Sequence, residues 1–150
     1  MLNQSADHAL RAVLFVAQRG GGGGARACRA RAIAAAIGVP HNYLGKVLNT
    51  LTSAGVLTSS RGPRGGFRLA NGAALMTIAD VAGPFQRLPE RRVCLLGDRP
   101  CDPTLPCAAH RQWQTMADQV TGFFRTTTIA SMLDADVCAT RTLNQESQPS

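Results

Sequence analysis

Apolar residues recur at three- and four-residue intervals along the start of the chain. Ala6, Ala9, Leu10, Val13, Leu14 and Ala17 share one side of a helix predicted over residues 2 to 19. Gly20 to Gly24 stop it, because consecutive glycines have no side chain to bury and large backbone freedom, so this run reads as a flexible connector. From Arg29 to Ile37 a second stripe appears at Ala30, Ile33, Ala34 and Ile37, and Gly38 is suited to end that helix. Pro40 fits the first turn of a third helix over residues 40 to 54. Leu44, Val47, Leu48 and Leu51 lie on its inner side, and Asn42, Gly45, Lys46, Asn49 and Ser53 on its outer side, with Gly55 closing it.

The period then changes from helical to alternating. Val56 to Ser60 is β-branched or small, and Phe67-Arg68-Leu69 resumes the alternation after Arg61-Gly62-Pro63-Arg64-Gly65-Gly66, which predicts a hairpin with a basic, Gly/Pro-rich tip. Thr77-x-x-Asp80 resembles a capping box ahead of a short helix carrying Ile78, Ala79 and Val81. From Pro106 onward, Trp113, Met116, Ala117, Val120, Phe123 and Phe124 form a broad stripe on a helix of about five turns. Ile129 to Leu133 make a closing turn. Asp134 to Ser150 carries too little apolar surface to order itself.

The fold class that follows is mainly α with a small β-hairpin wing: a winged helix-turn-helix plus a long dimerisation helix. Two short helices joined by Gly-Val-Pro, the second with a small, polar, singly basic outer face, suit a major groove about 12 Å wide. The candidate DNA-binding residues are His41, Asn42, Tyr43, Lys46 and Asn49 on the third helix and Arg61 and Arg64 on the wing. A basic hairpin alone is an ordinary solvated loop; directly behind a helix-turn-helix it reads as an arm for a minor groove or for phosphates. His8 and His41 read as structural or DNA-facing, not catalytic.

Charge supports this division. The 150 residues carry 16 Lys/Arg and 9 Asp/Glu, a formal net charge of +7. Residues 1 to 70 hold nine basic residues against the single acid Asp7, and residues 71 to 150 hold seven against eight. The basic half therefore does the electrostatic work. An apolar content of 45% is too high for a disordered chain and predicts a packed core, in one domain with an appended arm. No apolar run approaches the roughly 20 residues of a membrane span, and no signal segment opens the chain, so a cytoplasmic protein without a membrane partner is expected.

Three of the five cysteines, Cys94, Cys101 and Cys107, fall in one Pro/Gly/Asp-rich segment with spacing C-x6-C-x5-C. Structural zinc sites usually use C-x2-4-C knuckles, so zinc is allowed but not favoured. Iron-sulfur clusters tolerate wider spacing, and a reversible redox disulfide also stays open. Three thiols are an incomplete four-ligand set; His110, three residues after Cys107, would share a first helical turn with it if the helix starts near Pro106. Cys28 is expected to be partly buried beside the helix-turn-helix, and Cys138 to be incidental. No Ser/His/Asp set, paired carboxylates or cofactor fingerprint suggests an enzyme, and the glycine run lacks the lysine and preceding strand of a phosphate-cradling loop. A small electron carrier is the remaining rival from another class.

These residues together resemble the Rrf-two family of bacterial winged-helix transcriptional regulators, including its IscR-like and NsrR-like iron-sulfur sensors. The resemblance runs from about residue 1 to 133. It rests on Ala6-Asp7-His8-Ala9-Leu10-Arg11, Tyr43-Leu44-Gly45-Lys46-Val47, Ala54-Gly55-Val56-Leu57, Arg61-Gly62-Pro63-Arg64-Gly65-Gly66-Phe67 and the three-cysteine segment. It implies a homodimer crossed through the long helix, promoter DNA as partner, an iron-sulfur cluster on Cys94, Cys101 and Cys107, and control, usually repression, through cluster state. In IscR-like members a histidine placed like His110 completes a 2Fe-2S site; in NsrR-like members an aspartate placed like Asp7 of the partner subunit serves instead, and 4Fe-4S is the alternative cluster. Gly45 departs from IscR-like members, which carry a base-discriminating acid there. The implied organisation is residues 1–85 as the DNA-binding domain, 86–108 as the cluster loop, 106–133 as the dimerisation helix and closing turn, and 134–150 as a disordered tail.

Overall fold

A computed structural model describes residues 2–20, 26–88, Cys94, Asp102 and 104–134. Its elements are α1 (Gln4–Gly20), α2 (Ala30–Ile37), α3 (His41–Ser53), β1 (Leu57–Ser60), β2 (Gly66–Leu69), a single 3-10 turn (Ala73–Leu75), α4 (Ile78–Ala82), α5 (His110–Thr126) and α6 (Ile129–Asp134). The mainly helical winged-helix expectation is thus what forms. The connector after Gly20, Cys101, Cys138 and the tail beyond Asp134 lie outside the described residues.

α1 is the central post of the core. Its predicted stripe is buried at Ala6, Ala9, Leu10, Val13 and Ala17, while Leu14 is only half-buried and Ala12, Phe15 and Val16 are buried as well. The stripe is wider than predicted because α1 meets α2 and α3 on one side and β2, α4 and α6 on others. A helix surrounded in this way buries residues that a single-face pattern assigns to water.

The helix-turn-helix is set by two chain reversals. At the end of α2, Gly38 adopts φ +71°, and the N–H of Val39 donates to the Ala34 carbonyl at 3.1 Å, a six-to-one closure that favours glycine because a Cβ is strained there. Pro40 then caps α3 in an extended conformation rather than entering its first turn, and its carbonyl receives the Leu44 N–H at 3.0 Å. Leu44, Val47, Leu48 and Leu51 are buried, as the spacing predicts.

β1 and β2 pair antiparallel, Leu57 with Leu69 through Ser60 with Gly66. The wing has an additional edge: Cys28 and Phe67 exchange both backbone hydrogen bonds, at 2.9 and 2.8 Å, so one residue before α2 acts as a third strand. A second isolated pairing joins Thr77 to Thr128, with the Ile78 N–H on the Thr127 carbonyl at 3.0 Å and the Ile129 N–H on the Met76 carbonyl at 2.8 Å. It ties the α5–α6 junction to the start of α4, where Thr77 and Asp80 form the expected capping box. Ile129 and Phe124 consequently belong to the same core as α1.

α5 starts at His110, not near Pro106 as expected from the sequence. Pro106 has no N–H of its own and disfavours a helical residue before it, and the chain enters through a turn at Ala108–Ala109 before helical bonding begins. The apolar stripe of α5 also divides. Ala117 and Phe124 are buried and Trp113 and Val120 half-buried, whereas Met116 and Phe123 are 49% and 58% exposed. Ridge residues one helical pair of turns apart are thus left outside the core of the single chain.

Candidate nucleic-acid interface and metal-ligand segment

His41, Asn42, Lys46 and Asn49 are exposed on the outer side of α3, opposite its four buried aliphatics. Tyr43 is placed differently. It is half-buried, its hydroxyl lies 3.2 Å from His8 Nδ1 and 3.3 Å from Ser5 Oγ, and its ring meets the His8 imidazole edge-on at 5.4 Å. Tyr43 therefore pins α3 to α1 through His8 and Ser5. Arg61 and Arg64 are exposed at the wing tip.

The structure also brings together basic residues that sequence reasoning did not single out. Arg26, Arg29, Arg64 and Arg68 line one cleft at the root of the wing. Arg29 Nη2 donates to the Pro63 carbonyl at 2.9 Å, which fastens the wing tip to the start of α2. The missed signal was the pairing of Cys28 with Phe67: two backbone hydrogen bonds between residues 39 apart leave no trace in local periodicity.

Of the predicted metal ligands, Cys94 and Cys107 are thiols of intermediate exposure and His110 is half-buried. Cys107 and His110 stay close, since the His110 N–H donates to the Cys107 carbonyl at 3.0 Å. Asp102, between Cys101 and Cys107, accepts from Thr104 Oγ1 at 2.6 Å and Thr104 N at 2.8 Å, and these hydrogen bonds hold its carboxyl below the usual range. Among the described residues no three His, Cys, Asp or Glu side chains are assembled into one metal-binding group; Cys101 lies outside them. Asp7 is already engaged, its Oδ2 3.0 Å from Arg11 Nε. Cys28 is buried at 5% exposure, and burial pushes its thiol pKa up against the opposing pull of Arg19. It belongs to the wing root, not to the cysteine segment. No described helix is long and apolar enough to cross a membrane.

Comparison with known proteins agrees with this architecture. A family model, Rrf2, described as an iron-dependent transcriptional regulator, matches residues 2–135. A protein of Aquifex aeolicus (strain VF5) named as an HTH-type transcriptional regulator is 34% identical over 100 residues, covering 65% of this chain and 69% of that one. The HTH-type transcriptional regulator IscR of Escherichia coli (strain K12 / DH10B) is 26% identical over 97 residues; the match covers 65% of this chain and 59% of IscR, less than two thirds of its length. Among solved structures, CymR, the global cysteine regulator of B. subtilis, superposes with a TM-score of 0.75 at 21% identity over 90% of this chain and 97% of CymR. IscR of T. potens does so with 0.71 at 19% identity over 100% of this chain and 93% of its own. The two structural likenesses establish the fold. With the family model spanning nearly the whole chain and regulators, not enzymes, among its relatives, the chain belongs to the Rrf2 family of transcriptional regulators.

Proposed function

We propose that this chain acts as a homodimeric, cytoplasmic, promoter-binding regulator, a repressor in its usual mode, whose DNA affinity follows an iron-sulfur cluster held by Cys94, Cys101, Cys107 and His110. The observation that carries the reading is the entry to α5, where Cys107 and His110 are joined by a 3.0 Å backbone hydrogen bond and both remain partly accessible. The donor chemistry fits such a group: soft thiolates for iron, and an imidazole of the kind accepted on one iron of a 2Fe-2S centre. When bound, that centre supplies a one-electron redox site and a target for nitric oxide. Asp7 of the partner subunit is the second choice for the fourth ligand, with 4Fe-4S the alternative cluster, and it would have to exchange its Arg11 partner.

Residues of the chain then connect sensing to reading. His110 begins α5, and the other end of that helix, about 24 Å away at 1.5 Å per residue, is fastened beside α4 by the Thr77–Thr128 pairing. Met116 and Phe123, exposed on α5, pair with the same residues of a second copy. Ligation at Cys107 and His110 biases how the two α5 helices lie, and through them the spacing of two α3 helices carrying His41, Asn42, Lys46 and Asn49. Arg61 and Arg64 hold the adjacent groove or its phosphates. The test is anaerobic purification with visible spectroscopy and iron and sulfide analysis of the native chain, His110→Ala and Asp7→Ala. A coloured protein with iron and sulfide, altered in His110→Ala and unaltered in Asp7→Ala, is expected. A colourless zinc protein would overturn the cluster in favour of a zinc or cluster-free thiol sensor, and an unchanged cluster in His110→Ala would overturn that ligand.

A further inference from the structure

The cleft at the wing root has a chemistry of its own. It encloses about 600 Å³ and is lined by Arg26, Arg29, Arg64 and Arg68, which come from three separate stretches of chain. Two close approaches bring them together. Cys28 pairs with Phe67, and Gly66 passes so near Cys28 that a Cβ on it would stand 2.6 Å from the Cys28 carbonyl oxygen. This draws the strand bearing Arg68 against the segment bearing Arg26 and Arg29. Four guanidinium groups lining one cleft repel one another unless anions neutralise them. The first 70 residues contain one acid, Asp7, and it is paired with Arg11. Arg68 Nε is moreover enclosed and makes no hydrogen bond among the described residues, an unsatisfied donor beside the cleft.

We infer that this cleft is a clamp for a single backbone phosphate of duplex DNA, closed by Arg26, Arg64 and Arg68, with Arg29 holding the wing in place through Pro63. The inference rests on the DNA-binding reading and extends it to residues outside the recognition helix and wing tip. A phosphodiester is the ligand that fits: it is anionic, it accepts the paired donors of guanidinium, and the duplex presents it next to whichever groove the wing enters. Such a contact fixes the position of the protein on the duplex without reading sequence. Arg64 links the clamp to the exposed wing tip.

The salt dependence of binding tests it, measured by fluorescence anisotropy on the full chain with its promoter duplex and with a random duplex. Arg26→Ala, Arg68→Gln and the double variant are compared with the native chain and with Asn49→Ala; Arg29 is left intact because it shapes the wing. Each neutralised phosphate contributes a slope of about 0.9 in log affinity against log salt, which amounts to about fivefold in affinity at 0.15 M. The double variant is expected to lose about one unit of slope and about fivefold affinity on both duplexes, each single variant less, with circular dichroism unchanged. A slope equal to that of the native chain, a loss of two units, or a loss confined to the promoter duplex overturns the clamp while native binding stands. A native chain that binds neither duplex overturns the DNA-binding reading itself, and the clamp with it. Asn49→Ala should lose promoter preference and keep its slope, which separates reading from clamping.

Discussion

Gly66 is where the wing can be loosened with one methyl group. At φ +141° an alanine is strained by about 1–3 kcal/mol, and its Cβ would lie 2.6 Å from the Cys28 carbonyl oxygen and 2.8 Å from the carbonyl carbon, both backbone atoms that cannot rotate away. The chain can keep the Cys28–Phe67 pairing and carry the strain, or give up its two hydrogen bonds, each worth about 0.5–1.5 kcal/mol. Either route converges on about 2 kcal/mol. For a domain of this size that lowers Tm by about 4–8 °C. Hydrogen exchange locates the damage: the Cys28 and Phe67 amides of Gly66→Ala should gain more in exchange rate than those of Leu44 to Leu51 in α3, which follow only the global loss of stability. Random-duplex affinity should fall too, because Arg64 and Arg68 ride on the displaced wing. A Tm within 1 °C of the native value together with unchanged exchange at Cys28 and Phe67 would refute this wing geometry.

Three further expectations concern the core and the buried thiol. Ile129 is fully buried and fastens α6 to α1, so Ile129→Ala should destabilise by about 2–5 kcal/mol in denaturant unfolding; a loss below 1 kcal/mol would mean α6 is not part of that core. Cys28, shielded and with its pKa raised by burial, should react with iodoacetamide far more slowly than Cys107 in the apo chain at pH 8, and equal labelling in peptide mass spectrometry would contradict its placement. Because that pKa is raised on folding, the thiol's contribution to stability is full below the unfolded value and declines as pH rises through the folded one. Cys28→Ser should reduce the loss of stability above pH 9.

Most of the exposed face of α3 was legible because helical periodicity is local. Leu44, Val47, Leu48 and Leu51 at three- and four-residue spacing determine which side faces the core, and Asn42, Lys46 and Asn49 are left outside by the same geometry. Tyr43 shows the limit of that reasoning. Its position beside the outer face made it a DNA candidate, and local periodicity gave no sign that its hydroxyl also meets His8 and Ser5, partners that lie more than 30 residues away. The start of α5 was misplaced by four residues for a similar reason: the apolar stripe marks which side of a helix is buried, not where the first backbone bond forms.

The sequence by itself determined the helix-turn-helix, the wing with its Gly/Pro tip, the capping box at Thr77, the concentration of positive charge in the first 70 residues and the cysteine spacing. Each depends on neighbours within a few positions. Tertiary structure decided that α1 is enclosed on several sides, that Cys28 extends the wing and that Thr128 returns the C-terminal helices to α4. It also decided that arginines from residues 26 to 68 share one cleft. Backbone hydrogen bonds between distant residues use no side-chain pattern, so any residue with a free N–H and carbonyl can make them, and only the folded chain reveals which ones do.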